Sequence, residues 1–208
     1  MSYTIIGLGN PGEEYENTRH NTGRIVLENF RKKNDFSDWK IDKKLKALVS
    51  EGKVAKDPSS RAKLATGQEK IMLVLPETFM NNSGKSVALL VKNKKAAERL
   101  IVIHDDLDIP LGSMKISFNR GSGGHKGIES IKRAIKTEAF IRLRVGISSA
   151  TPSGKIKKPK GDKAVADFIL GKFKPKEMEV MKKVGKRASD ALALIISEGK
   201  EKAMGEFN

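Results

Sequence analysis

A few side chains in this sequence have the right chemistry to act on an acyl bond, and they lie in four separate stretches. Asn10 and His20 stand in "GLGNPGEEYENTRHN", Asn81 and Asn82 in "ETFMNNSG", His104 and Asp105 in "VIHDDLD", and His125 in "GSGGHKG". An imidazole is suited to take a proton from water near neutral pH. Amide N–H groups can face the oxyanion that forms when that water attacks a carbonyl. Together they suit hydrolysis of an activated acyl bond such as an ester. A protein nucleophile is missing: the chain has no cysteine, and no serine sits in a G-x-S-x-G turn. Three histidines without ligand-like spacing give no reason to expect a metal.

The same residues also suit plainer roles. His20 fits a surface or capping histidine, Asn10 before Pro11 a turn, and Asn81 or Asn82 a helix cap. Asp105, Asp106 and Asp108 would make a solvated acidic turn, and Gly121, Gly123 and Gly124 flexible spacers. What favours chemistry is position. Each polar group follows a stretch that reads as a strand, and open α/β sheets hold their ligands at the carboxyl ends of strands.

The elements that must position them follow from periodicity. Ser2–Leu8 reads as a first buried strand, and Arg24–Asn34 as a helix with Ile25, Val26, Leu27 and Phe30 on its apolar side. Leu45–Val54 and Arg61–Ala65 suggest strands separated by a "DPSS" turn, and Lys70–Pro76 is a buried strand. A helix with Val87, Leu90 and Val91 inward follows Asn81 and Asn82. "RLIVIHDDLDIPLG" is a strand running into acids and a turn; "SMKISF" and "IRLRVGIS" are further strands, with a helix opening in "GSGGHKGIESIKRAIK" between them. The last third is expected to hold a mobile basic loop over about 150–163, a short segment "AVADFILGKF", and a helix over about 175–197. Strands alternating with helices predict one α/β domain over residues 1–208, with helices on both faces of a mixed sheet.

Charge is the strongest bulk signal. Lys and Arg number 41 against 25 Asp and Glu, a net charge of +16, which a polyanion such as RNA would reward. Only 5% of residues are aromatic, so phosphate and shape recognition fit better than base stacking. No apolar run approaches the roughly 18 residues that span a bilayer, and no basic leader with a cleavage site opens the chain. Absent cysteines fit a cytoplasmic protein. Gly7, Gly9 and Gly12 do spell G-x-G-x-x-G, the dinucleotide fingerprint. That fingerprint needs a helix to open at the glycines with its N-terminus on a pyrophosphate. Here "EEYENTRHNTG" follows, polar and acidic, so the cofactor reading is set aside.

At these residues the sequence resembles the bacterial-type peptidyl-tRNA hydrolase family. The match runs in order through "GLGNPGEEYENTRHNTG", "PETFMNNSG", "VIHDDLDIPLG", "GSGGHKGIESI" and "IRLRVGIS", with "DFILGKF" before the last helix. The resemblance implies a monomeric α/β enzyme with a twisted mixed sheet between helices and no metal or cofactor. It would hydrolyse the ester between a stranded peptide and tRNA. Carried over by motif, His20 would be the general base and Asp105 its orienting acid. Asn10 and Asn81 would hold the substrate, with Asn81 facing the oxyanion, and Tyr15, Phe79 and Met80 would line a peptide groove. Lys115 and Arg144, and the loop residues Lys155, Lys157, Lys158 and Lys160, would meet tRNA phosphates.

Two departures stand out. The family reads G-H-N-G where this chain has His125-Lys126-Gly127, and Lys126 offers donors and a charge but no acceptor. It would pair with a phosphate or place positive charge near the oxyanion. The family's phosphate-binding lysine after the "SMKISF"-type strand falls on Ser117, which leaves the 5′-phosphate contact open. A rival reading is a non-catalytic RNA-binding protein on the same scaffold. Retention of His20, Asp105, Asn10 and Asn81 together argues against it.

Overall fold

The structure, a computed structural model, describes residues 2–55 and 68–208. The "DPSS" turn and the Arg61–Ala65 strand expected from sequence lie outside them. The strands are β1 (Tyr3–Gly7), β2 (Lys40–Asp42), β3 (Ala47–Ala55), β4 (Gln68–Pro76), β5 (Leu100–Pro110), β6 (Met114–Phe118), β7 (Ile141–Ala150) and β8 (Ile156–Lys157). Helices α1 (Thr22–Lys33), α2 (Ser83–Leu90), α3 (Lys94–Glu98), α4 (Lys126–Ile135), α5 (Asp162–Leu170), α6 (Pro175–Glu198) and α7 (Lys200–Phe207) alternate with them.

The sheet runs β2-β3-β4-β1-β5-β7-β6, with β8 paired to β7. Its centre, β4-β1-β5-β7, is parallel; β3 joins β4 and β6 joins β7 antiparallel, so the sheet is mixed as expected. Side chains alternate between its faces, as strand geometry requires. Ile5, Leu73, Ile101, Ile103 and Leu143 pack against α1 and α6, burying Val26, Leu27, Phe30, Met181, Ala188 and Ile195. Ile6, Leu8, Val74 and Val102 face the other way, under Val87 of α2 and Ile128 and Ile131 of α4.

Because four neighbouring strands are parallel, their carboxyl ends share one edge, and the loops after β1 and β4 and the acids within β5 gather there. The start of α4, which follows the antiparallel β6, joins them through the His125–Asp105 hydrogen bond. The glycines near the N-terminus serve this packing. A Cβ on Gly23 would lie 2.3 Å from the Ile103 carbonyl oxygen and 2.4 Å from the Leu8 nitrogen. Only glycine lets α1 start directly against β1 and β5. No helix opens at Gly12: two short 3-10 turns come first, and α1 begins at Thr22.

Two expectations need correction. The acids after "LIVI" are not a solvated turn, because β5 continues to Pro110 with an irregular register against β7 between Asp106 and Pro110. The basic segment 150–163 is not loop throughout: β8 pairs Ile156 and Lys157 with Ala150 and Ser149, and α5 starts at Asp162. The helix read over about 175–197 corresponds to α6, Pro175–Glu198, and a further helix, α7, follows it.

Candidate active site

His20 sits in the 3-10 turn Arg19–Asn21, immediately before α1. Its neighbours hold that turn in place. Asn21 clasps the first loop, its Oδ1 accepting the Asn10 N–H at 2.8 Å and its Nδ2 donating to the Asn10 carbonyl at 2.9 Å. Arg19 reaches across the molecule, donating to the Gly171 and Lys172 carbonyls at 3.2 Å and to both Glu177 carboxylate oxygens at 2.9 and 3.1 Å. Its guanidinium also lies over the Phe168 ring, 4.6 Å from the centroid.

Asp105, on β5, joins two imidazoles. His20 Nδ1–H donates to its two carboxylate oxygens at 3.0 and 3.1 Å, and His125 Nε2–H donates to Oδ1 at 3.0 Å. The His125 tautomer follows from its other nitrogen, since Nδ1 accepts the Gly127 and Ile128 N–H groups at 3.2 and 3.3 Å as the cap of α4. A carboxylate can only accept, so His20 carries its proton on Nδ1 and presents Nε2 as a lone pair. Asp105 and His20 are 4% and 6% exposed, so the pair works at reduced dielectric. His104 lies beneath, its ring edge-on to His125 at 4.7 Å and its Nδ1–H donating to the Asp105 carbonyl at 2.7 Å. Burial, then the neighbouring His125 and Arg142, push His104 well below 6.5, so it stays neutral.

Burial alone would make the His20 imidazolium harder to form. The charge and hydrogen bond of Asp105 outweigh that and raise its pKa above 6.5, while Lys126 pulls the other way. Asp105 shows the converse. Burial favours its neutral form, yet His20 and His125 hold it well below 3.8.

His20 and Asp105 open on a cavity of about 270 Å³ with Asp106, Leu107, Asp108, residues Ser122 to Lys126, and Val165 and Ile169 from α5. Gly123 and Gly124 have φ of +63° and +82°, which let the loop turn over the cavity rim. His20, Asp105 and His125 offer ligand atoms within 4.8 Å of one another, a spacing a cation could bridge. Both nitrogens facing Asp105 are protonated donors, however, and one is fixed so by the α4 cap. The trio reads as a hydrogen-bond relay on the cavity wall, with His20 Nε2 left without a hydrogen-bond partner among the described residues.

The sequence model of the peptidyl-tRNA hydrolase family matches residues 4–208. This chain belongs to that family. It is 39% identical over 205 residues to the peptidyl-tRNA hydrolase of Aquifex aeolicus, covering 98% of this chain and 95% of that one. With the enzyme of that name from Carboxydothermus hydrogenoformans it shares 37% identity, covering 99% and 98% of the two chains. The crystal structure of peptidyl-tRNA hydrolase from Acinetobacter baumannii superposes with a TM-score of 0.82 at 30% identity, covering 100% of this chain and 94% of that one.

Against the family resemblance, the structure brings His20 and Asp105 together directly and adds His125, which the sequence placed at the same edge without a role. Asn10 is more committed than expected. Its Oδ1 accepts the Met80 N–H at 2.8 Å and sets the turn Met80–Asn82, so only its amide nitrogen is left for a ligand. Asn81, on that turn, is exposed. Phe79 is 56% exposed, with Tyr15 edge-on at 6.3 Å. Met80 is corrected: it is buried in the core with Leu8 and Ile128, supporting the turn from below rather than lining a groove.

Of the residues expected at tRNA phosphates, Lys115, Lys155, Lys157 and Lys160 are exposed. Arg144 is paired with Asp106 at 2.8 Å, and Lys158 with Asp108. Ser117 is buried opposite Arg142, and its hydroxyl has no hydrogen-bond partner. Arg142 is itself buried, and desolvation with Arg144 alongside lowers its pKa to about 10. No helix among the described residues is long and apolar enough to cross a membrane.

Proposed function

We propose that His20 is the general base with which this peptidyl-tRNA hydrolase cleaves the ester between peptide and tRNA. His20 Nε2 takes a proton from water as the water oxygen attacks the ester carbonyl, and Asp105 stabilises the imidazolium that forms. The oxyanion meets the Asn81 amide, with the Asn10 amide nitrogen holding the acyl group nearby. Collapse breaks the bond to the ribose oxygen, which takes the proton back from His20. The products are a free peptide acid and a tRNA with its terminal hydroxyl restored.

The observation carrying this reading is the buried relay from Asp105 to His20, ending in an unpaired nitrogen on a cavity. A protein that only bound RNA would have no use for it. Tyr15 and Phe79 flank the acyl side, Lys126 faces the substrate, and Lys115, Arg144, Lys155, Lys157 and Lys158 approach the RNA. One chain supplies every group named, which supports a monomer as the acting unit. The substrate arises in translation, so the cytoplasm is its proposed place of work. The test is His20→Ala, assayed with N-acetyl-aminoacyl-tRNA. Turnover should fall roughly 10²- to 10⁴-fold while tRNA affinity stays within a few-fold. Unchanged turnover would remove His20 from the mechanism.

A further inference from the structure

We propose that Lys126 is a specificity-determining residue that disfavours aminoacyl-tRNA with a free amine by placing an unpaired positive charge beside the reacting carbonyl. This rests on the proposed use of His20 as base. Every acid lining the cavity is already engaged: Asp105 by His20 and His125, Asp106 by Arg144, and Asp108 by Lys158. Glu129, one turn into α4, accepts from the Ser122 hydroxyl. From α5 only Val165 and Ile169 reach the wall. Lys126 is exposed, opens α4, lines the same cavity, and has no hydrogen bond or ion pair among the described residues. Its charge reaches His20, where it opposes protonation of the ring.

The chemistry of the two esters then separates them. In peptidyl-tRNA the nitrogen next to the acyl carbon is a neutral amide. In aminoacyl-tRNA it is an amine, charged at and below neutral pH. That nitrogen is two bonds from the carbonyl carbon attacked by the water on His20, so a cation that faces His20 also faces it. Two unit charges about 7 Å apart in a partly solvated cleft repel enough to slow the free amine roughly three- to tenfold. Asp106 and Asp108 are offset by Arg144 and Lys158, and Asp105 keeps the same charge behind the two imidazoles whether or not Lys126 is present, so the acids do not enter the difference that Lys126 makes.

The experiment compares kcat/KM for N-acetyl-aminoacyl-tRNA and the unblocked aminoacyl-tRNA, using the wild-type chain, Lys126→Gln and Lys126→Arg. Lys126→Gln should reduce the preference for the blocked ester roughly three- to tenfold at pH 6.5 by gaining on the free amine, and Lys126→Arg should keep the preference. The wild-type preference should shrink as pH rises through the titration of the amine, near 8 for a model α-amine. In Lys126→Gln the acid limb of the rate profile should move to higher pH. An unchanged preference in Lys126→Gln, whatever the common change in rate for the two esters, would overturn the inference. A wild-type chain inert toward the blocked ester would instead bring down the underlying reading of the site.

Discussion

The proton on His20 Nδ1 is fixed by its neighbour, because Asp105 is ionised and can only accept. Asp105 also lifts the imidazole above 6.5, so the active neutral ring is gained as pH rises through that raised value. The acid limb of log kcat/KM should therefore have its midpoint above 6.5, a result read directly from a pH–rate profile. Asp105→Asn should cut the rate roughly 10²- to 10⁴-fold and lower that midpoint, since both the charge and the Nδ1–H acceptor geometry go. His20, Asp105, Asn10 and Asn81 stood out in the sequence as polar residues at or near strand ends, and the family resemblance supplied the roles expected of them. His125 had no readable role, since nothing in a linear sequence shows one carboxylate serving rings 85 and 20 positions away. Met80 was carried over by motif together with Phe79, but the chain leaves extended backbone at Phe79 for the turn at Met80, so the two side chains part, one exposed and one buried.

Among the elements, the strands and helices with clean periodicity came through, and those that broke it did not. An aspartate-rich stretch reads as a turn, yet β5 carries it because Asp105 and Asp106 each find a partner. The two-residue β8 is too short to leave a pattern, and α5 has no fully buried residue to mark an inward face. Val165 and Ile169 thus look like ordinary apolar positions until the fold sets them over a cavity. The contact of α1 with β1 and β5 gives a sharp test. Gly23→Ala would drive a methyl group into backbone from two strands, leaving no side chain that could give way. Urea denaturation should show a loss of about 3 kcal/mol or more, with activity falling alongside because His20 stands three residues earlier.

For the whole molecule, the net charge of +16 is the term that acts at a distance. Affinity for tRNA should fall steeply with salt, log K changing by about 0.7–0.9 per log unit of salt for each phosphate met. Lys155→Gln with Lys157→Gln should flatten that slope by about 1–2 units, as titrations at several salt concentrations would show. Lys158→Gln should cost affinity as well, because it leaves Asp108 as an uncompensated negative charge facing the RNA. An unaltered slope in the double variant would leave those lysines as solubilising surface. The tether from Arg19 to Glu177 has a different kind of consequence. It spans 158 positions, and the ribosome makes the chain from its amino end. Until residues 168–177 have emerged, the side chain next to the base lacks the partners that tether it across the molecule. An enzyme whose substrate is a chain still esterified to tRNA therefore finishes its own machinery only late in the stage when it is itself such a chain.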